Sequence, residues 1–438
     1  MPQYYFGTDA NKIGEVFTDE NSGKLVKVTL YPAAPNPDKV SSGSSGIVTE
    51  WVVTHPTQTA VVAFTSYGNK HPASMACFKA TTSDTGISSL EKAFELSSGG
   101  RQAAHAMFHP NMEGEKLALA VAHHNDAMVT FFQLPKDSIP DALEDQPALT
   151  IELPELIPGT RHVLGTGTRG LSIPSCHQVY YAPNGKYLLC VDPNQSAVIT
   201  YPVDDTGLPT QQEPSSTFTC HTDVPPLGWV SGAIGKAMRV GCRPRRVAVS
   251  PNGKFVFILY ETRNTIQVYP LDNESGKIDP EKNGCMQEIS TLEESLRSRK
   301  WIGMTMQACA EMIVYEDALY VSNRGTKVKM TGSASENSIK VFDIKDGGRL
   351  VVRQTVACEG PVRHFQVFGV PTETEGDDDD GNIVDGDAKD ILLVAGTTKP
   401  ASSLQTFRRH HGDSANEFGL VGNADVGNSV LCVAEGNS

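Results

Sequence analysis

Apolar residues in this chain fall in short runs separated by turn-forming residues, and the runs come in recurring pairs. Cys176-His177-Gln178-Val179-Tyr180-Tyr181-Ala182 leads through Pro183-Asn184-Gly185-Lys186 into Tyr187-Leu188-Leu189-Cys190-Val191. Arg245-Arg246-Val247-Ala248-Val249-Ser250 leads through Pro251-Asn252-Gly253-Lys254 into Phe255-Val256-Phe257-Ile258-Leu259. Short runs bounded by Pro, Asn and Gly read as β-strands, and two runs so joined read as a hairpin. His177 and Arg245 each stand six residues before the proline. Further copies begin at Glu50-Trp51, at His105, at Glu311-Met312 and at Arg363-His364. Most copies continue into a third strand, such as Ala197-Val198-Ile199-Thr200-Tyr201 or Thr265-Ile266-Gln267-Val268-Tyr269.

The repeat spacing selects the architecture. Pro56, Pro110, Pro183 and Pro251 lie 54, 73 and 68 residues apart, which suits four-stranded blades carrying insertions. Six copies are complete. The N-terminus holds only later strands of a further blade (Tyr4-Tyr5-Phe6-Gly7, Ile13-Gly14-Glu15-Val16-Phe17 and Leu25-Val26), and Val430-Leu431-Cys432-Val433-Ala434 offers the missing one. Pairing the two ends closes the ring and removes its open edges. The expectation is an all-β, seven-bladed propeller forming one domain over residues 1–438, with insertions at about 286–305 and 371–390. Ser290 and Glu293 have capping-box spacing and predict a short helix in the first insertion. Asp377-Asp378-Asp379-Asp380 in the second lacks spaced calcium ligands and reads as a solvated loop.

Composition narrows the function classes. The formal net charge of -14 argues against a nucleic-acid surface while leaving room for a local basic pocket. No apolar run approaches the roughly 18–20 residues of a membrane span. Met1-Pro2-Gln3-Tyr4-Tyr5-Phe6 does not read as a leader, so the expected location is cytoplasmic. The nine cysteines include no C-x-x-C pair and read as reduced, mostly buried thiols.

The strand order then places polar residues. The start of each inner strand and the end of its antiparallel neighbour lie at one end of the propeller. Counting seven residues from the lysine of each hairpin reaches His123 and Glu261, and the aligned count from Asp317 reaches Arg324. With His177 and Arg245 these residues are expected to surround one mouth of the channel. Arginines suit a carboxylate or phosphate ligand, and a histidine with a carboxylate suits proton handling. Cys176 alternates away from His177 and reads as a packed thiol rather than a nucleophile. His123-His124 lacks a zinc spacing, and Gly165-Thr166-Gly167-Thr168-Arg169-Gly170 precedes a strand rather than a helix. Neither a metal nor a nucleotide cofactor is expected.

At these residues the chain resembles the lactonase family of seven-bladed propellers, which includes bacterial-type 6-phosphogluconolactonases and fungal 3-carboxy-cis,cis-muconate lactonizing enzymes. The resemblance rests on Pro244-Arg245 with Ser250-Pro251-Asn252-Gly253-Lys254 and Tyr260-Glu261, and on Val321-Ser322-Asn323-Arg324-Gly325. Cys176-His177-Gln178-Val179 and Gly360-Pro361-Val362-Arg363-His364-Phe365 add to it. In the cyclase branch a histidine, two arginines and a glutamate form the proposed active site, and their matches here are His177, Arg245, Arg324 and Glu261. The resemblance implies that the arginines hold a substrate anion while His177 and Glu261 manage the proton. The family's second histidine is replaced by Ser175, its Gly-Pro-Arg-His by Arg243-Pro244-Arg245-Arg246, and its Asp-Leu-Gly by Asp192-Pro193-Asn194. These departures bear on the substrate rather than the fold.

Three functions follow as expectations. The first is hydrolysis of an anionic sugar lactone, with His177 and Glu261 as the acid-base pair and Arg245, Arg324 and His123 binding substrate. The second is carboxy-cis,cis-muconate cycloisomerisation on the same residues. The third is a non-enzymatic propeller that presents a surface to partner proteins. The expected ligand of the first two is a small anion.

Overall fold

The computed structural model describes residues 3–19, 22–33, 47–68, 71–82, 88–143, 146–156, 174–220, 243–261, 263–279, 284–294, 307–325, 337–371, 389–398, 402–409 and 417–435. These residues form seven four-stranded antiparallel sheets, each a blade. Blade 1 pairs the C-terminal strand Val430–Glu435 with Gln3–Thr8, followed by Lys12–Thr18 and Leu25–Pro32. The two chain ends therefore close the ring, as the incomplete blade at the N-terminus requires. The innermost strands of blades 2 to 7 are Ile47–Thr54, Ala103–Phe108, Gln178–Tyr181, Pro244–Val249, Gln307–Tyr315 and Val362–Pro371. Each contacts its neighbours around the ring, and Val430–Glu435 touches the inner strands of both blade 2 and blade 7.

The two hairpins with the shared turn fold alike for a local reason. Gly185 and Gly253 have φ of 70° and 72°, a conformation an L side chain resists. Each glycine N–H donates to the carbonyl of Ala182 or Ser250 at 2.9 Å. The preceding Asn184 and Asn252 accept from the N–H of Lys186 and Lys254 at 3.1 Å. A side chain at Gly253 would also collide with Asn273 in the next turn.

Between blades the core is aliphatic and aromatic. Leu189, Val191 and Val198 of blade 4 pack with Val247, Val249 and Ile258 of blade 5, all buried. Burying each such side chain stabilises the fold by about 1.5–3 kcal/mol. The eight described cysteines are unpaired by disulfides, six of them buried and Cys285 exposed. Of the helix expected from Ser290, residues 290–294 are described: Ser290 ends the strand Gln287–Ser290 and residues 291–293 are not helical, while 295–297, Gly165–Gly170 and the aspartate run at 377–380 lie outside the described residues.

Candidate functional site

Period-two alternation breaks at one level of the ring. The pairing register between inner strand and neighbour slips at Glu50, Ala104, Arg245, Ala310-Glu311 and Arg363. A β-bulge adds one residue to a strand and re-aims its side chain. Glu50, Ala104, Arg245, Glu311 and Arg363 line one cleft at the end of the channel, and His177, just before its strand, joins them. Trp51, Arg246 and His364, which follow bulges, line the cleft as well, and residues at this level of the ring also bond to the next blade. Trp51 Nε1 donates to Ala106 O at 3.0 Å, Gln178 Nε2 donates to Val247 O at 3.3 Å, and His364 Nδ1 accepts from Val433 N–H at 3.1 Å.

Glu261 follows the second strand of blade 5, its N–H donating to Arg243 O at 3.1 Å. Its Oε1 accepts from Arg245 at 3.1 Å and from Arg324 of blade 6 at 2.5 Å. Burial alone would raise the Glu261 carboxyl, but Arg245, Arg324 and Arg243 outweigh it and hold it down at about 2. Burial and the neighbouring cations lower Arg245, which remains charged at neutral pH. Arg245 Nε also donates to Ala310 O at 2.9 Å, so these two acceptors engage two of its five N–H groups. Arg243 holds a left-handed φ of 47° immediately before a proline, a combination sterics disfavour and functional sites collect.

The same cleft holds a second cluster, built on Trp51, Arg246, Glu311, Arg363 and His364. Arg246 Nε donates to Glu311 Oε1 at 2.7 Å, and its NH1 donates to His177 Nδ1 at 2.9 Å. Glu311 Oε2 has no hydrogen-bond partner and lies 3.6 Å from His364 Nε2. Trp51 carries the His105 ring at 4.3 Å and the Arg246 guanidinium at 5.4 Å. Arg363 reaches past the inner strand of blade 1 to Glu50 Oε2 at 2.7 Å. Burial lowers His177 well below the usual histidine range, and Arg245, Arg246, His124 and Arg363 push the same way.

His177, Arg245, Glu261 and Arg324 are thus brought to one end of the channel, with Glu261 and Arg324 beside the cleft and joined to it through Arg245. His123 is elsewhere. Its ring is buried against Gly100, Nε2 is 2.9 Å from Thr130 Oγ1, and burial lowers it to about 4. The register explains the displacement. Ala103 pairs with His123 as Pro244 pairs with Tyr260 and Cys309 with Asn323. His124 therefore occupies the position of Glu261 and Arg324, and its ring stands 5.5 Å from that of His177. The longer turn after Pro110 displaces the lysine used for counting by one residue. Adjacent His123 and His124 point opposite ways, as neighbours on a strand do.

Sequence reasoning did not single out Arg246, Glu311, Arg363, Glu50 or His124. The first four begin copies of the repeat at or next to the position of His177 and Arg245, and that recurrence is the signal that could have found them. Cys176 is buried, and burial raises its thiol well above the ordinary value. It faces away from the cleft.

Five guanidinium groups (Arg243, Arg245, Arg246, Arg324, Arg363) and three carboxylates (Glu50, Glu261, Glu311) gather at this end of a chain whose net charge is -14. The sequence matches the family described as lactonase, 7-bladed beta-propeller, over residues 10–222 and 233–368. The chain belongs to the lactonase family. An uncharacterised Staphylococcus aureus protein is 25% identical over 286 residues, 65% of this chain and 65% of its own length. The chain thus spans about two thirds of the length of that curated relative. Solved structures share the fold. A putative 6-phosphogluconolactonase from Bacteroides fragilis superposes with a TM-score of 0.62 at 14% identity, covering 100% of this chain and 98% of that one. The periplasmic gluconolactonase of Pseudomonas aeruginosa gives 0.63 at 14%, covering 100% and 99%. Among the described residues no helix is long and apolar enough to cross a membrane.

Proposed function

We propose that this lactonase-family chain hydrolyses an anionic sugar lactone in the cytoplasm, with 6-phosphogluconolactone the first substrate to test. The observation that carries the reading is the guanidinium cluster centred on Arg245 and Arg324 beside a small polar cleft in an otherwise acidic chain. Clustered arginines favour a carboxylate or phosphate through several charge-assisted hydrogen bonds. Arg245 and Arg324 hold the substrate anion, which orients the lactone carbonyl towards His177. Water adds to the carbonyl carbon, the ring C–O bond breaks, and the ring oxygen leaves as an alcohol carrying one of the water protons. Glu261 and His177 manage that proton, and the cations stabilise the oxyanion formed on the way. Neither a metal nor a nucleophilic side chain enters this scheme.

The test measures release of acid from 6-phosphogluconolactone above its spontaneous rate, beside uncharged gluconolactone and a carboxy-cis,cis-muconate. Faster turnover of the phosphorylated lactone supports the reading. Preference for the neutral lactone would remove the anion clamp, and lactone formation from the muconate would convert the assignment to a cycloisomerase. Inertness towards all three, with the cleft residues replaceable at no cost to binding of small anions, would leave a non-enzymatic propeller.

A further inference from the structure

One buried charged pair in the cleft wall is not used by anion binding, Arg246 with Glu311. Both residues stand in the wall of the cleft, yet Arg246 is 2% exposed and Glu311 3%, and Arg246 is committed to neighbours within the protein. What Arg246 touches is His177. Its NH1 lies 2.9 Å from His177 Nδ1 and 3.2 Å from His177 O, while Nε is anchored on Glu311 at 2.7 Å. Glu311 is itself fixed by the Met312 N–H at 3.1 Å, and its own N–H donates to Ser322 Oγ at 3.0 Å.

A guanidinium has donors and no acceptor. Nδ1 of His177 must therefore accept, and the neutral ring then carries its single proton on Nε2. We propose that Arg246, anchored by Glu311, is a positioning residue that holds His177 as the neutral Nε2–H tautomer, making it a fixed hydrogen-bond donor to the reacting oxygen and not a base. In the lactonase scheme this divides the Glu261–His177 pair: His177 keeps its own proton and only hydrogen-bonds, and acceptance of the water proton falls to Glu261 alone. The groups facing the ring favour the same state. They are Arg245 and Arg246 from blade 5, His124 from the blade 3 turn and Arg363 from blade 7. A second proton on the ring would meet three guanidiniums. A neutral imidazole that polarises a carbonyl is an established catalytic device.

The catalytic meaning of this inference rests on the lactonase reading, but its geometry does not. The experiment therefore needs no substrate. Nitrogen-15 spectra of the full chain labelled in its histidine rings, with His177 assigned by its disappearance in His177→Gln, read which ring nitrogen carries the proton. The expected result is Nε2–H with a bare Nδ1, unchanged from about pH 8 to about pH 5, the range over which an ordinary histidine charges. Arg246→Met alone leaves Glu311 buried without its cation, so the informative variant is Arg246→Met with Glu311→Leu, which removes both charges together. In that double variant Nδ1 loses its donor, and the His177 proton distributes between both nitrogens. A proton on Nδ1 in the wild type, or a double variant with the wild-type tautomer, would overturn the proposal. If the tautomer is as stated and no lactone is turned over, the lactonase reading fails and this arrangement stands.

Discussion

Arg245 and Arg246 are neighbours on one strand, and each grips a glutamate, yet the two pairs differ in kind. Arg245 stands at the bulge and meets Glu261 in a cluster whose side chains keep 9–22% of their exposure. Arg246 turns sideways and meets Glu311 where both are 3–4% exposed. The first pair borders the cleft, and an incoming anion can compete for its cations. The second spans blades 5 and 6 in the cleft wall with almost no exposure, and its arginine is committed to Glu311 and His177. One bulge thus divides two identical side chains between ligand binding and the support of His177. Charge alone does not mark a site; access does.

This contrast can be broken most severely at Arg246. Arg246→Leu is expected to cost about 3–5 kcal/mol, because Glu311 is left as an unpaired buried charge. Arg324→Leu, at a partly exposed position, is expected to cost no more than about 1 kcal/mol. Urea unfolding of both variants checks the ranking, and equal losses would erase the distinction. On activity the order reverses in its clarity. Arg324→Met should lower kcat/KM for a phosphorylated lactone by roughly 100-fold or more, the scale expected when one donor to a developing charge is removed, with the fold intact by melting.

Acidification separates the buried groups from the cleft. His123 and His364 are lowered from 6.5 to about 4, burial being the main cause. The unfolded chain therefore binds protons first, and stability falls as pH drops from about 6.5 towards 4. Glu261 is lowered from 4.5 to about 2, so its contribution persists above 4.5 and disappears as pH falls through 2. Glu261→Gln should flatten the lower part of the curve and leave the upper part unchanged; a shift in the upper part would show the two regions to be coupled. The smallest effect is expected at Glu50→Gln, which removes the partner of Arg363 at 31% exposure, for about 1 kcal/mol or less.

The ring was legible because blades repeat. The incomplete blade at residues 3–32 demands a strand from elsewhere, and Val430–Glu435 supplies it, legible as a short continuous apolar run. Arg245, Glu261 and Arg324 were legible because fixed offsets within a hairpin survive from blade to blade. His123 shows the limit of that arithmetic. One residue more in a turn exchanges His123 for His124, and a shift of one reverses the face of a strand. Arg246 and Glu311 were hidden for a related reason. Period-two alternation sends neighbours to opposite faces, whereas a bulge sends Arg245 into the cleft and Arg246 to the next blade. The hydrophobic pattern carries no record of this bulge, because Arg245 and Arg246 are both polar and either could be the residue that faces the cleft.

The central claim is that Arg245 and Arg324 form a clamp for the anionic group of a lactone. Its most direct test compares hydrolysis of 6-phosphogluconolactone, corrected for the spontaneous reaction, by the wild-type chain and by Arg324→Met at neutral pH. The account predicts catalysis by the wild type and a fall of roughly 100-fold or more in kcat/KM for the variant, with uncharged gluconolactone a poor substrate for both. Equal rates from the two proteins, or equal rates on the two lactones, would contradict it.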